Sequence, residues 1–491
     1  MKVSKSAENV DFRNPKYLRF MIRKLKFVSL LLAFTGLISC NNPEVQRQTP
    51  IISHSDTTVK FSLTDLHKRT FNFFWELADT VSAQTPDRWP TKSFSSIAAT
   101  GFGLTAYVIG VENKYITRDE GAKRVLKCLK FLFELQQGDQ QAGNGGYKGF
   151  FYHFLDMRTG ERFKDVELST IDTGLLMAGV LTCLTYFDGD NYIEKDIRKF
   201  ADKLYRRVEW DWFMNKNDLL SMGWHPGKGF LNAEWSGYNE AMILNILALG
   251  SPTHPVKDVI WKNWTKKYEW ENYQSFEHVN FGPLFGHQYS HLFIDFKGIR
   301  DEYIQSKGID YFENSRRATY ANRAYCIENP MKFAGYGENI WGLTACDGPG
   351  DQTRRIGDKK VRFFGYSARG AASGYSVDDG TIAPTAAGGS IPFAPEICLP
   401  ALKAMYDQFG KNLYSEYGFK DAFNPTYSNE ENNASGWFDV DYIGIDQGPI
   451  LIMLENYKSN LIWNIMKKNP YIISGLQKAG FKGGWIDEVD K

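Results

Sequence analysis

Cysteine is scarce in this chain, with six among 491 residues. None form a CxxC pair, and the five beyond Cys40 are odd in number and far apart. That pattern argues against a disulfide scaffold. Cys128, Cys183, Cys326, Cys346 and Cys398 are expected as buried thiols, with Cys326–Cys346 the one conceivable bridge. Neither sign of charge is in excess. Lysine and arginine number 58 against 57 acids, so there is no electrostatic case for nucleic acid or an anionic polymer. Metal and cofactor motifs are missing too. His287, His291 and Asp295 recur at helical spacing, but no glutamate stands between the histidines as in HExxH. A helix face turned into a polar groove is preferred over zinc. Gly101-Phe-Gly103-Leu-Thr-Ala106 matches GxGxxA without the strand that dinucleotide binding needs before it. Gly365-Tyr-Ser367-Ala-Arg-Gly370 misses the nucleophile elbow by one residue. No metal and no cofactor are expected.

Long apolar runs are also lacking. The longest, Phe27 to Ser39, runs for about 12 residues, short of the roughly 20 a spanning helix needs. Arg23, Lys24 and Lys26 precede it, which makes it a secretory signal. Its ending, Leu37-Ile-Ser-Cys40, resembles the lipobox of bacterial lipoproteins. That implies cleavage before Cys40, acylation of its sulfur, and export to the periplasm or outer membrane of a Gram-negative cell. A transmembrane anchor and a free secreted protein are the competing readings. Residues 1–39 are assigned to the signal and an upstream extension, with Met21 a second candidate start. Residues 40–60, rich in Pro, Thr, Gln and Ser, read as a flexible tether.

What is present is helical periodicity and aromatic side chains. Apolar spacing predicts helices over 63–78, 97–112, 118–136, 169–186, 192–207, 238–250, 284–296, 301–322, 393–409 and 447–459. Extended segments are expected only at 149–155 and 360–366. No repeat or internal linker divides residues 61–491, which read as one domain. Helix pairs joined by long loops rich in Gly, Trp and Asp fit an all-α toroid with its site on the loops of one rim. Aromatics make up 15% of the chain, including 13 Trp and 26 Tyr. Most serve helix interfaces, but in an exported protein some suit stacking on sugar rings.

Three acidic clusters lie among these aromatics. The first holds Asp165, Glu167 and Asp172 before an apolar helix, where Asp172 also suits the helix N-terminus. The second runs from Trp224 through Trp235 and Tyr238 to Glu240. Aromatic packing there would desolvate Glu240 and raise its pKa, as a general acid requires. The third holds Asp439, Asp441, Asp446 and Gln447, with Asp446 also a plausible N-cap. Two separated carboxyls, one acid and one base, are the minimum for glycoside hydrolysis.

Five segments, Ser96–Thr105, Gly149–Asp156, Tyr238-Asn-Glu240 through Pro252, Gly337–Thr344 and Ile445–Pro449, together resemble the glucoamylase-like bacterial proteins of glycoside hydrolase family 144. The likeness spans about residues 60–475. It implies an (α/α)6 toroid, no required metal, and inverting hydrolysis of β-1,2-glucan to sophorose or short sophorooligosaccharides. By motif, Glu240 falls on the acid, and Asp446 is taken as base. Asp165, Glu167, Asp172, Trp224, Trp235, Tyr238, His287, Glu338, Trp341, Tyr366 and Gln447 are the expected substrate contacts. The expected partner is a neutral glucan, with the membrane reached only through lipid at Cys40. Two alternatives stand beside this. One is a polysaccharide lyase using His287, His291, Arg369 or Tyr375; the other is a non-catalytic glycan-binding lipoprotein.

Overall fold

The computed structural model describes residues 61–429 and 434–489. The expected signal, Cys40 and the whole of the expected tether lie outside the described residues. Within the unit that begins at Leu63, helices of two kinds alternate along the chain. Helices α1 (Leu63–Leu77), α3 (Arg118–Glu134) and α5 (Tyr192–Arg206) bury one face each. Helices α2 (Ile97–Glu112), α4 (Thr170–Tyr186) and α6 (Met242–Gly250) are buried over almost their whole length. A helix apolar on every side must be surrounded by others, so α2, α4 and α6 form an inner layer.

The second half continues the alternation. Helix α7 (Val259–Thr265) precedes a buried inner segment, α8 (Phe285–Gln288) running into a 3-10 turn at Tyr289–Leu292. After α9 (Glu302–Ser306) come α10 (Tyr311–Glu328), the buried α11 (Pro384–Gly388), α12 (Pro395–Leu413) and the buried α13 (Gly444–Ser459). Two short helices, α14 (Leu461–Met466) and α15 (Pro470–Lys478), finish the set. Inner elements touch in a closed circuit: α2 meets α4, α4 meets α6, and the 289–292 turn meets α6 and α13, which returns to α2.

Glycine permits the tightest of these contacts. A Cβ on Gly101 would lie 2.5 Å from the Leu175 carbonyl, and one on Gly179 would lie 2.1 Å from the Gly101 carbonyl. The GxGxxA run is therefore a helix crossing of α2 on α4.

Three expectations change. The domain is helix-rich rather than all-α, because short paired strands punctuate the described loops, the longest being Phe423–Asn429. The helix expected over 284–296 is broken into α8 and a 3-10 turn, so His287, His291 and Asp295 do not share a helix face. The helix expected over 301–322 is divided at Gly308, whose φ is +74°.

The short strands have a positional logic. Ser95–Ser96 leads into α2 and pairs with Phe154–Leu155. Leu168–Ser169 leads into α4 and pairs with Gly223–His225. Tyr442–Ile443 leads into α13 and pairs with Arg88–Trp89. Each ladder ties the start of an inner helix to a neighbouring loop. Helix starts carry positive partial charge, and those of α4 and α13 each hold an acid in the first turn, Asp172 and Asp446.

Candidate active site

Glu240 stands two residues ahead of α6, rather than inside it as its spacing suggests. Ala241 at the N-cap offers no side-chain acceptor. Ser290 replaces it: its hydroxyl accepts from the Ile243 N–H at 2.9 Å and donates to the Glu240 carbonyl at 3.1 Å. Burial raises the Glu240 carboxyl to about 7, and nearby Asp172 adds to the shift. Such a carboxyl is half-protonated near neutrality, the condition a general acid needs.

Asp172 lies in the first turn of α4. The N-cap Ser169 accepts from the Asp172 N–H and donates to Asp172 Oδ2 at 2.5 Å. Burial raises the Asp172 pKa against the pull of His153. His153 lies between two acids, with Nδ1 2.9 Å from Glu167 Oε1 and Nε2 3.6 Å from Asp172 Oδ1. Burial alone would lower its pKa, but Asp172 and Glu167 overcome that and raise it to about 9. Glu167 responds in the opposite sense: burial would raise it, yet His153 holds it at about 2.

Asp446 occupies the first turn of α13, which opens at Gly444 rather than at Gly448-Pro449. Asp421 faces it closely enough for the two carboxyls to share a hydrogen bond. One of them must carry a proton to make it. This explains why Asp421 Oδ1 and Asp446 Oδ2 have no other partner although both are buried. Burial raises both carboxyls above the usual range. The pair therefore titrates as a unit that keeps a proton at neutral pH. Asp347 donates its N–H to Asp421 Oδ2 at 2.7 Å. Arg88 supplies the local cation, 2.6 Å from Asp347 and 3.0 Å from Asp87. One ligand oxygen from each of Asp347, Asp421 and Asp439 lies within 4.8 Å of the others.

These groups connect in a ring. Glu240 senses Asp172, which faces His153, which senses Asp87. Asp87 pairs with Arg88, Arg88 with Asp347, and Asp347 with Asp421 and so with Asp446. Tyr289 closes the circuit, because Asp446 and Glu240 both act on its hydroxyl. Tyr366 joins the Asp446 side, where burial and then Asp446, Asp421 and Asp347 raise its pKa.

The remaining expected contacts are distributed more widely. Asp165 is exposed and pairs with Arg162 at 3.0 Å and Lys228 at 2.8 Å. Side chains alternate along a strand, so His225, not Trp224, shares the Glu167 side of its ladder. The Trp224 ring packs with Tyr147 at 5.3 Å and Trp212 at 5.5 Å. Trp235 is buried and donates to Thr170 Oγ1 at 2.8 Å. Tyr238 is buried against His287, ring centres 4.8 Å apart. His287 Nε2 meets the Phe281 carbonyl at 3.1 Å. Glu338 is exposed and pairs with Arg323 at 2.9 Å, while Trp341 is wholly buried. Gln447 is buried and donates to the Phe419 carbonyl at 2.8 Å.

The groups considered for a lyase are engaged elsewhere. Arg369 forms a fully buried pair with Asp379 at 2.8 Å. His291 meets Ser315 at 3.0 Å beside Phe296 and Phe393. Tyr375 donates to the Ala368 carbonyl at 2.7 Å. The five described cysteines are free and buried.

Reading the sequence alone missed His153, Asp87, Arg88, Tyr289, Asp347 and Asp421. His153 stands in one of the five resembling segments, so a signal existed without a role. Asp421 sits in Phe-Lys-Asp-Ala, where nothing marks it.

The Glycoamylase family model matches residues 232–470. The chain is 31% identical over 447 residues to an exo β-1,2-glucooligosaccharide sophorohydrolase (non-reducing end) of Parabacteroides distasonis. That match takes in 84% of this chain and 57% of the relative's length. An endo-β-1,2-glucanase from Chitinophaga pinensis, solved with sophorotriose and glucose, superimposes with a TM-score of 0.74 at 30% identity, covering 87% of this chain and 100% of that one. A β-1,2-glucanase structure from Parabacteroides distasonis gives a TM-score of 0.72 at 30% identity, over 85% of this chain and 59% of that one. With the acids grouped at the starts of the inner helices and likeness along nearly the whole described chain, this protein belongs to the glucoamylase-like family, glycoside hydrolase family 144.

Proposed function

We propose that this protein hydrolyses β-1,2-glucan with inversion, releasing sophorose or short sophorooligosaccharides. Glu240 donates a proton to the leaving glycosidic oxygen. Asp446, sharing its proton with Asp421, activates water on the other face of the sugar, directly or through a sugar hydroxyl. The observation that carries this reading is Tyr289, whose hydroxyl lies within the electrostatic reach of both Glu240 and Asp446. Two carboxyls that both act on one tyrosine, one raised by burial so that it can hold a proton and the other beside a buried carboxyl that can hold the proton for it, supply the acid and the base that inverting hydrolysis needs. The activities of the relatives support the substrate, and the alternation of inner and outer helices supports closure as an (α/α)6 toroid. Export and tethering through Cys40 rest on the leader sequence.

Chromatography of products from β-1,2-glucan, with the anomer followed by NMR in the first minutes, tests the proposal. Sophorose alone indicates attack from a chain end, and a ladder indicates internal cleavage. Release of the retained anomer would refute inversion, and absence of any product from a panel of glucans would refute the hydrolase.

A further inference from the structure

Glu167, His153 and Asp172 form a three-membered cluster that the proposed acid and base do not use. The backbone holds the cluster as firmly as its side chains do. The His153 N–H donates to the Glu167 carbonyl at 3.0 Å, and the His153 carbonyl accepts from the Ile97 N–H at the start of α2. The imidazole stacks on Phe154 with ring centres 4.1 Å apart. Each ring nitrogen then faces a different carboxylate, at 2.9 and 3.6 Å.

A neutral imidazole has one N–H and satisfies one of these acids; an imidazolium satisfies both. We infer that His153 is a positioning residue that stays charged through the working pH range and keeps Glu167 and Asp172 ionised and aimed as acceptors for glucosyl hydroxyls. The role in substrate binding rests on the β-1,2-glucan reading; the charge state does not.

The charged surroundings are consistent with this. Asp87, ahead of the Arg88–Trp89 strand, is the third acid acting on the ring. Arg88 is paired with Asp87 and Asp347, and His225 adds a weaker influence on Glu167. Acids thus reach His153 from three segments, and no cation is among the principal influences on it. Without the imidazolium, burial would push Glu167 upward and raise Asp172 further than it already does, so both would take up protons more readily as pH falls.

Two measurements on the full chain test the inference. The first is NMR titration of the His153 ring, assigned with a His153→Gln variant. A midpoint above about 8 is expected against about 6.5 for a free histidine; a midpoint below 7 overturns the charge assignment whatever the enzyme cleaves. The second is the pH dependence of kcat/KM on β-1,2-glucan for the wild type and His153→Gln. The acid limb should move up by about one unit or more, so that the variant loses roughly tenfold more activity at pH 5 than at pH 7. An equal loss at every pH overturns the positioning role. A variant that fails to fold leaves the wild-type titration to decide, with the assignment made by fragment labelling. No cleavage by the wild type refutes the substrate reading and leaves the titration result standing.

Discussion

The hydroxyl of Tyr289 donates to the carbonyl of Ile445 across 3.2 Å. In an unbroken helix that carbonyl would accept from residue 449, but residue 449 is proline and has no N–H. Tyr289 therefore supplies a donor that the helix carrying Asp446 lacks. Its neighbour Ser290 supplies the acceptor that the helix following Glu240 lacks at its own N-cap. One dipeptide thus completes the starts of two inner helices and sets the two acids relative to each other.

Replacing Tyr289 with Phe should cost about 1 kcal/mol of stability, the usual value of a hydrogen bond. It should also lower kcat more than it raises KM, because Asp446 loses its fixed backbone. Urea unfolding with steady-state kinetics checks both. An unchanged kcat would separate the bond from catalysis.

Glu240→Gln should lower kcat by about 10²–10⁴-fold, the range for removal of a general acid, with oligosaccharide binding retained. As the proposed acid, Glu240 must be protonated to act, and burial raises its carboxyl to about 7, so wild-type activity should fall as pH rises through that value. Calorimetric binding of sophorotriose alongside a pH–rate profile gives both readings.

Asp421→Asn should alter the pH dependence of stability. The folded pKa of Asp421 is raised well above that of the unfolded chain, so the native state binds the extra proton. Stability then falls as pH rises from the unfolded carboxylate value toward the folded one. The variant lacks this term, so its Tm relative to wild type should increase between pH 5 and pH 8. A constant Tm difference across that range would rule out the shared proton.

Arg369→Ala would strand Asp379 in a site where neither side chain is exposed. Loss of one member of such a pair costs about 3–5 kcal/mol. Arg369 also donates to the Phe364, Gly365 and Cys346 carbonyls around Tyr366, so the Tyr366 loop should loosen with it. Denaturant unfolding and hydrogen exchange over residues 364–370 provide the check.

Alkylation of the native protein should leave Cys128, Cys183, Cys326, Cys346 and Cys398 unmodified. All five should react after unfolding without reductant, since all are free and buried. Mass mapping of a Cys326–Cys346 linked peptide would contradict this.

The inner helices were readable in the sequence because their burial is nearly complete. Ile97–Gly110 and Leu175–Cys183 are apolar on every face, and no loop has that composition. The amphipathic helices were readable from caps such as Thr117 with Glu120, which form a reciprocal capping box. The two-residue strands were not readable, since a pair of backbone bonds leaves no periodicity. Glu240 and Asp446 were legible as acids beside aromatics at helix starts. Asp421 was not, because its partner lies 25 positions later and only folding brings them together. Tyr289 was not legible, because the apolar spacing over 284–296 reads as one continuous helix and gives no sign of the 3-10 turn that aims it at Ile445.

The ladders ahead of α4 and α13 tie down the first turns that carry Asp172 and Asp446. Backbone pairing thus sets where each carboxyl begins, independently of the side chains on the longer loops between the helices.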